Sequence, residues 1–116
     1  MIFTAILFLF FEISGPTIEW TTPKEHDFDV LRHNMAAKTD FKFINKSEEP
    51  LVIDAVRTTC GCTAASYPED PVMPNEAATI TIEYDAHHVG FFSKKIKVFF
   101  AGHRKPEVLT ISGEVQ

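Results

Sequence analysis

Ala78-Thr79-Ile80-Thr81-Ile82-Glu83-Tyr84 alternates apolar and polar side chains without a break. Only an extended strand puts every second residue on one face, so Ala78, Ile80, Ile82 and Tyr84 are expected inside, with Thr79, Thr81 and Glu83 in water. The same period recurs along the chain. Lys38 to Asn45 sets Phe41 and Phe43 against Asp40 and Lys42. Lys94 to Phe100 sets Ile96, Val98 and Phe100 against Lys95, Lys97 and Phe99, and Val108 to Val115 sets Leu109, Ile111 and Val115 against Thr110, Ser112 and Glu114. Leu51 to Arg57 carries consecutive apolar residues, which reads as a central strand. Shorter runs at Ile18 to Thr21 and Asp27 to Val30 precede these.

The breaks between runs have turn chemistry. Asn45-Lys46-Ser47-Glu48-Glu49-Pro50 offers an Asx-type turn and a proline that cannot donate to a ladder. Pro68 to Pro71 and Pro74-Asn75-Glu76 bracket Val72-Met73, while Ala86 to Gly90 and Gly102 to Pro106 separate the last three strands. No segment carries the apolar stripe of a core-facing helix. The pattern predicts an all-β, two-sheet sandwich of about seven strands.

A chain of 116 residues with 45% hydrophobic content holds one domain with a real core. Eleven Lys and Arg against sixteen Asp and Glu leave a formal charge of -5, which gives nucleic acid or anionic lipid no electrostatic reason to bind. The first eleven residues are apolar except Thr4, the length of a signal-peptide hydrophobic region and shorter than the roughly 20 residues of a spanning helix. No Lys or Arg precedes the run and no Ala-x-Ala site follows it, so a buried first strand or an uncleaved anchor is the competing reading. The expected organisation is an export or hydrophobic segment over 1–15, a lead-in over 16–23 and the sandwich over 24–116, acting in the periplasm or as a secreted protein.

Both cysteines fall in Thr58-Thr59-Cys60-Gly61-Cys62-Thr63. In a regular strand, residues i and i+2 share a face with Cα atoms roughly 6.5 to 7 Å apart, so a disulfide here needs a local bend, for which Gly61 lacks the obstructing Cβ. A bond closing so short a loop is expected to be labile and redox-reactive rather than a staple. Two alternatives stand beside it. The thiolates could be soft ligands for copper or zinc, although His26, His33, His87, His88, His103, Met35 and Met73 all lie at no motif-like spacing from them. They could equally be small buried apolar residues at a strand end.

Other candidates have plainer readings. His87-His88 belongs to a polar loop before Gly90, and Glu69, Asp70 and Glu76 lack the ligand density of a calcium loop. Asn45-Lys46-Ser47 matches the glycosylation pattern. In each of the pairs Phe91-Phe92 and Phe99-Phe100 one ring is expected in the core and one partly covered; the rival reading is that Phe91 and Phe99, on the outward face, mark a partner-binding patch. No Ser, His and carboxylate set, phosphate-cradling glycine loop or cysteine-histidine dyad is spaced for catalysis, so the chain is read as non-enzymatic, with no cofactor and no resident metal.

Phe41-Lys42-Phe43-Ile44-Asn45, Pro50-Leu51-Val52-Ile53, Cys60-Gly61-Cys62-Thr63, Pro71-Val72-Met73-Pro74, Ile82-Glu83-Tyr84-Asp85, Gly90 and Leu109 to Val115 together resemble the bacterial domain of unknown function 1573 family. The likeness spans Lys24 to Gln116, and Cys-Gly-Cys-Thr is its most specific element; Asn75 stands where the family usually has glycine after proline. The resemblance implies an immunoglobulin-like sandwich similar to major sperm protein domains, usually exported, with Asn45, Gly61, Thr63 and Gly90 as motif positions. It implies no established activity. The expected job is binding an unknown protein partner through a sheet face or open edge strand. A thiol-redox protein or a periplasmic copper or zinc carrier are the rivals.

Overall fold

The computed structural model describes residues 17–116, and the apolar segment read as an export signal lies outside them. Eight strands make up the described part: β1 (Ile18–Trp20), β2 (Glu25–Leu31), β3 (Ala37–Asn45), β4 (Ile53–Thr58), β5 (Thr63–Ser66), β6 (Ala77–Tyr84), β7 (Gly90–Phe100) and β8 (Glu107–Val115). They form two four-stranded sheets, ordered β1-β3-β6-β5 and β2-β8-β7-β4. All pairings are antiparallel except β2 with β8. The expected all-β sandwich is the fold.

Alternation decides what lies between the sheets. Phe41, Phe43, Ile80, Ile82 and Tyr84 come from one sheet, and Ile96, Val98, Phe100, Leu109, Ile111 and Val115 from the other. Each is at most 2% exposed, so the inward rows read from sequence form one continuous core. The rings of Phe43 and Phe100 meet edge to face across it, centroids 5.5 Å apart. Burying one such side chain is worth about 1.5–3 kcal/mol, so the facing rows dominate the stability of the fold.

Three expectations about strands need correction. Leu51 to Arg57 is not a central strand: β4 ends its sheet and pairs with β7 alone. Its apolar run comes from a register shift between Ile53 and Ala55, which turns Ile53 and Val56 to the same inner side, three positions apart. The stretch 16–23 is more than a lead-in, because β1 lies in it and pairs with β3, placing the Trp20 ring 5.3 Å from Phe43. Lastly, β5 is a strand the periodicity did not show; its residues Thr63-Ala64-Ala65-Ser66 are too small to make an apolar signal.

The loop after β3 is held by one buried amide. Asn45 is fully buried and donates through Nδ2 to the carbonyls of Glu49 (2.8 Å) and Val72 (2.9 Å). Its Oδ1 accepts from Ser47 N–H at 2.9 Å and from Ser47 Oγ–H at 2.7 Å, so every bonding direction of the amide is used. The glycosylation reading of Asn45 ends here, since its nitrogen faces two carbonyls inside the protein. Asn75 (φ 66°) takes the left-handed position after Pro74, where asparagine is tolerated, and its N–H donates to Asn45 O at 2.7 Å.

Candidate functional site

Thr58 closes β4 and Thr63 opens β5, so Cys60-Gly61-Cys62 is the turn that crosses from one sheet to the other. The two sulfurs are joined in a disulfide. Turning brings the Cα atoms to 5.1 Å, within the ordinary range of about 4.4–6.8 Å for a disulfide and well below the strand spacing. Hydrogen bonds fix the bend. The Cys60 carbonyl accepts from Thr63 N–H (3.3 Å) and Thr58 Oγ–H (3.0 Å), Cys62 N–H points at Cys60 Sγ (3.2 Å), and the Cys62 carbonyl accepts from Asp85 N–H (2.9 Å).

Gly61 does not have the role expected of it. A Cβ there would meet nothing within 4 Å, and its φ is not among the positive values, so the bend does not require glycine. Gly90 does: it begins β7 at φ 120°, a conformation that L side chains rarely adopt. Thr63 is buried, with its hydroxyl 3.8 Å from Cys62 Sγ. In the turn Cys62 is buried and Cys60 is partly exposed.

The histidines fall into a different environment. His33 Nε2 lies 3.0 Å from the His87 carbonyl and His87 Nδ1 lies 3.1 Å from Asn34 Oδ1. Carbonyl oxygens only accept, so both ring nitrogens serve there as donors that tie two loops together. Among the described residues no three His, Cys, Asp or Glu side chains are grouped to hold a metal. Glu76 Oε2 accepts from Met73 N–H at 3.0 Å and closes its own turn, while Glu69 and Asp70 face solvent.

Phe91 and Phe99 both face outward on β7 but do not make one patch. Eight residues of strand separate them by about 26 Å. Phe91 is 86% exposed, near Val30, whereas Phe99 is partly covered by the Arg57 guanidinium, 5.6 Å from its ring centre. Phe99 belongs to a surface groove of about 680 Å³ that sequence reading missed, lined also by Arg57, Lys95, Lys97, Thr58 and Ser93. Arg57 and Lys97 are directly opposed across β4 and β7, although like charges in that position repel. None of the three cations has an ion-pair partner among the described residues.

The sequence model of the family described as "Protein of unknown function (DUF1573)" matches residues 18–115. The chain belongs to that family. No curated protein matches this DUF1573 chain in sequence. Solved structures share its fold at low identity: a protein of unknown function from Porphyromonas gingivalis W83 superposes with a TM-score of 0.72 at 15% identity, over 84% of this chain and 46% of that one. The Vibrio cholerae VesB protease gives 0.70 at 12% identity, over 85% of this chain and 32% of that one. The ASH/PapD-like domain 7 of human CEP192 gives 0.73 at 11% identity, over 90% and 91%. The DUF1573 chain thus spans less than half of the first two proteins and nearly all of the third. At these identities the likeness is one of fold alone, a two-sheet β-sandwich.

Proposed function

We propose that this chain is a non-enzymatic β-sandwich module that binds a protein partner in the periplasm or outside the cell. The observation that carries the reading is an open stretch of sheet. β4 pairs with β7 only from Ile96 to Phe100, so the half of β7 from Gly90 to Lys95 pairs with β8 alone among the described residues. An unpaired row of backbone groups beside a groove is what an extended partner segment uses. The apolar first eleven residues and the disulfide favour an oxidising compartment. Photo-crosslinkers placed in the source cell at outward positions of β7, and on β3 as a control, test both parts. Adducts of one defined protein in the extracytoplasmic fraction are expected from β7; recovery of the chain only from cytoplasm, or adducts from neither strand, overturns the reading.

A second reading, thiol exchange, is favoured by the partly exposed Cys60 beside a covered Cys62. An incoming thiolate would bond to Cys60 Sγ, the electron pair of the broken bond leaving on Cys62 Sγ, which then takes a proton. Titration with a dithiol, followed by the gain of about 2 Da for two hydrogens, measures the potential. A strongly reducing value would remove this reading.

A further inference from the structure

We propose that the notch beyond the end of β4 takes an extended acidic segment of the partner, added as a new strand along Gly90 to Lys95 of β7. This deepens the interaction reading above and rests on it.

β4 stops at Thr58, opposite Ile96, and the chain then turns away through Cys60-Gly61-Cys62 to the other sheet. β7 runs six residues further, to Gly90, with β8 beside it on one side only. A strand laid there would continue the line of β4 and fill the ladder positions that β4 leaves vacant. The register shift that deforms β4 lies at Ile53 and Ala55, at the far end from the notch.

Charge selects the occupant. Ser93, Lys95 and Lys97 stand in alternate outward positions on β7, Arg57 is level with Lys97 on β4, and all four are exposed. Cations gathered without ion pairs, in a protein of formal charge -5, give this groove the sign opposite to that of the whole molecule. The same outer face carries Glu114 on β8, opposite Phe91, and Glu25 and Asp27 on β2, so its cationic end lies at Lys95, next to β4, and its acidic end towards Gly90. A segment with carboxylates at every second residue, its backbone paired with Gly90 to Lys95, would set one of them beside Lys95 on the outer face, diagonal to Lys97 and in line with Arg57 at the end of β4. The same cations repel the matching edge of a second copy, which is how a bare edge avoids self-pairing.

The test uses the purified oxidised chain and a synthetic peptide of about nine residues, a usual strand length, alternating Glu with Val. Binding is expected to protect backbone amides of Gly90 to Lys95 from hydrogen exchange, and to weaken as salt rises. A twin peptide with Lys in place of Glu is expected not to bind. Combined Lys95→Glu and Lys97→Glu should lower affinity at least tenfold, as should Arg57→Glu in a separate protein, each variant keeping the melting temperature of the parent. Equal binding of both peptides, protection on β2 or β5 instead, or a dimer joined through this notch would each overturn the proposal. If the Glu-Val peptide fails while crosslinked partner adducts still form on β7, the acidic-strand proposal falls and the interaction module stands.

Discussion

The rings of Tyr84 and Phe92 lie parallel within 12°, centroids 3.9 Å apart, and join the two sheets where β6 ends and β7 begins. Phe92 is also the cross-strand partner of Gly113, and the edge of its ring occupies the space where a side chain on that residue would stand. Only a residue without a side chain leaves room for a ring clamped in this way.

A Cβ on Gly113 would come within 2.9 Å of Cε1 and Cζ of Phe92 and 3.2 Å of the Asp29 carbonyl. The ring cannot swing aside without losing Tyr84, so Gly113→Ala is expected to cost about 1–3 kcal/mol, the usual range for overpacking. In a Phe92→Leu background the clashing ring atoms are gone, and the same substitution should cost less. Urea denaturation of the four proteins of this cycle reads the difference; strictly additive losses would contradict the contact.

Asn45→Asp keeps the shape of the buried amide and replaces a double donor with an acceptor. The carbonyls of Glu49 and Val72 would then face a carboxyl oxygen inside the protein. A loss of about 2–4 kcal/mol at neutral pH is expected, since unsatisfied buried groups cost about 1–3 kcal/mol each and one of them here would be charged. Thermal unfolding measures it, and a near-neutral result would show that Asn45 is not the loop's anchor.

Much of this fold is legible in period two, and its misses share a cause. β3, β6, β7 and β8 were readable because their inward rows are large and unbroken. β4 misled because a register shift lets apolar residues stand three apart on one side, mimicking burial on both faces. β2 was faint for a related reason: its ladder slips between Asp27 and Val30, around Asp29 at φ 60°. The disulfide turn was visible as a motif, but whether the chain bends there depends on which sheets the flanking strands join. The basic groove could not be seen, because Arg57 and Lys97 are far apart in sequence and meet only through the pairing of β4 with β7.

Tyr84 gives the protein a pH dependence on the alkaline side. Burial, and secondarily the adjacent Asp85 carboxylate, raise its phenol above the ordinary value of 10.0. The native state therefore holds this proton more tightly than the unfolded chain. Its contribution is complete below pH 10.0 and is lost as pH rises through the native value, because ionisation then favours unfolding. Tyr84→Phe keeps the ring against Phe92 and removes the titration. Stability measured from pH 8 upward, on the scale of ordinary tyrosine titration near 10, should fall more steeply in the parent than in the variant; parallel curves would show that the phenol is not perturbed.

Replacing both Cys60 and Cys62 with Ser separates the two functional readings. The bond closes a ring of three residues, whose loop entropy is worth only about 1–2 kcal/mol, so the variant should unfold at slightly lower urea without losing the fold. The groove's cations sit on β4 and β7, outside the turn, and Thr58 stays fixed by its place opposite Ile96. Docking of the Glu-Val peptide should therefore keep its affinity within about twofold, a difference of roughly 0.4 kcal/mol. A folded variant that no longer binds would tie recognition to the disulfide, and the turn, rather than the open edge of β7, would then be where this protein meets its partner.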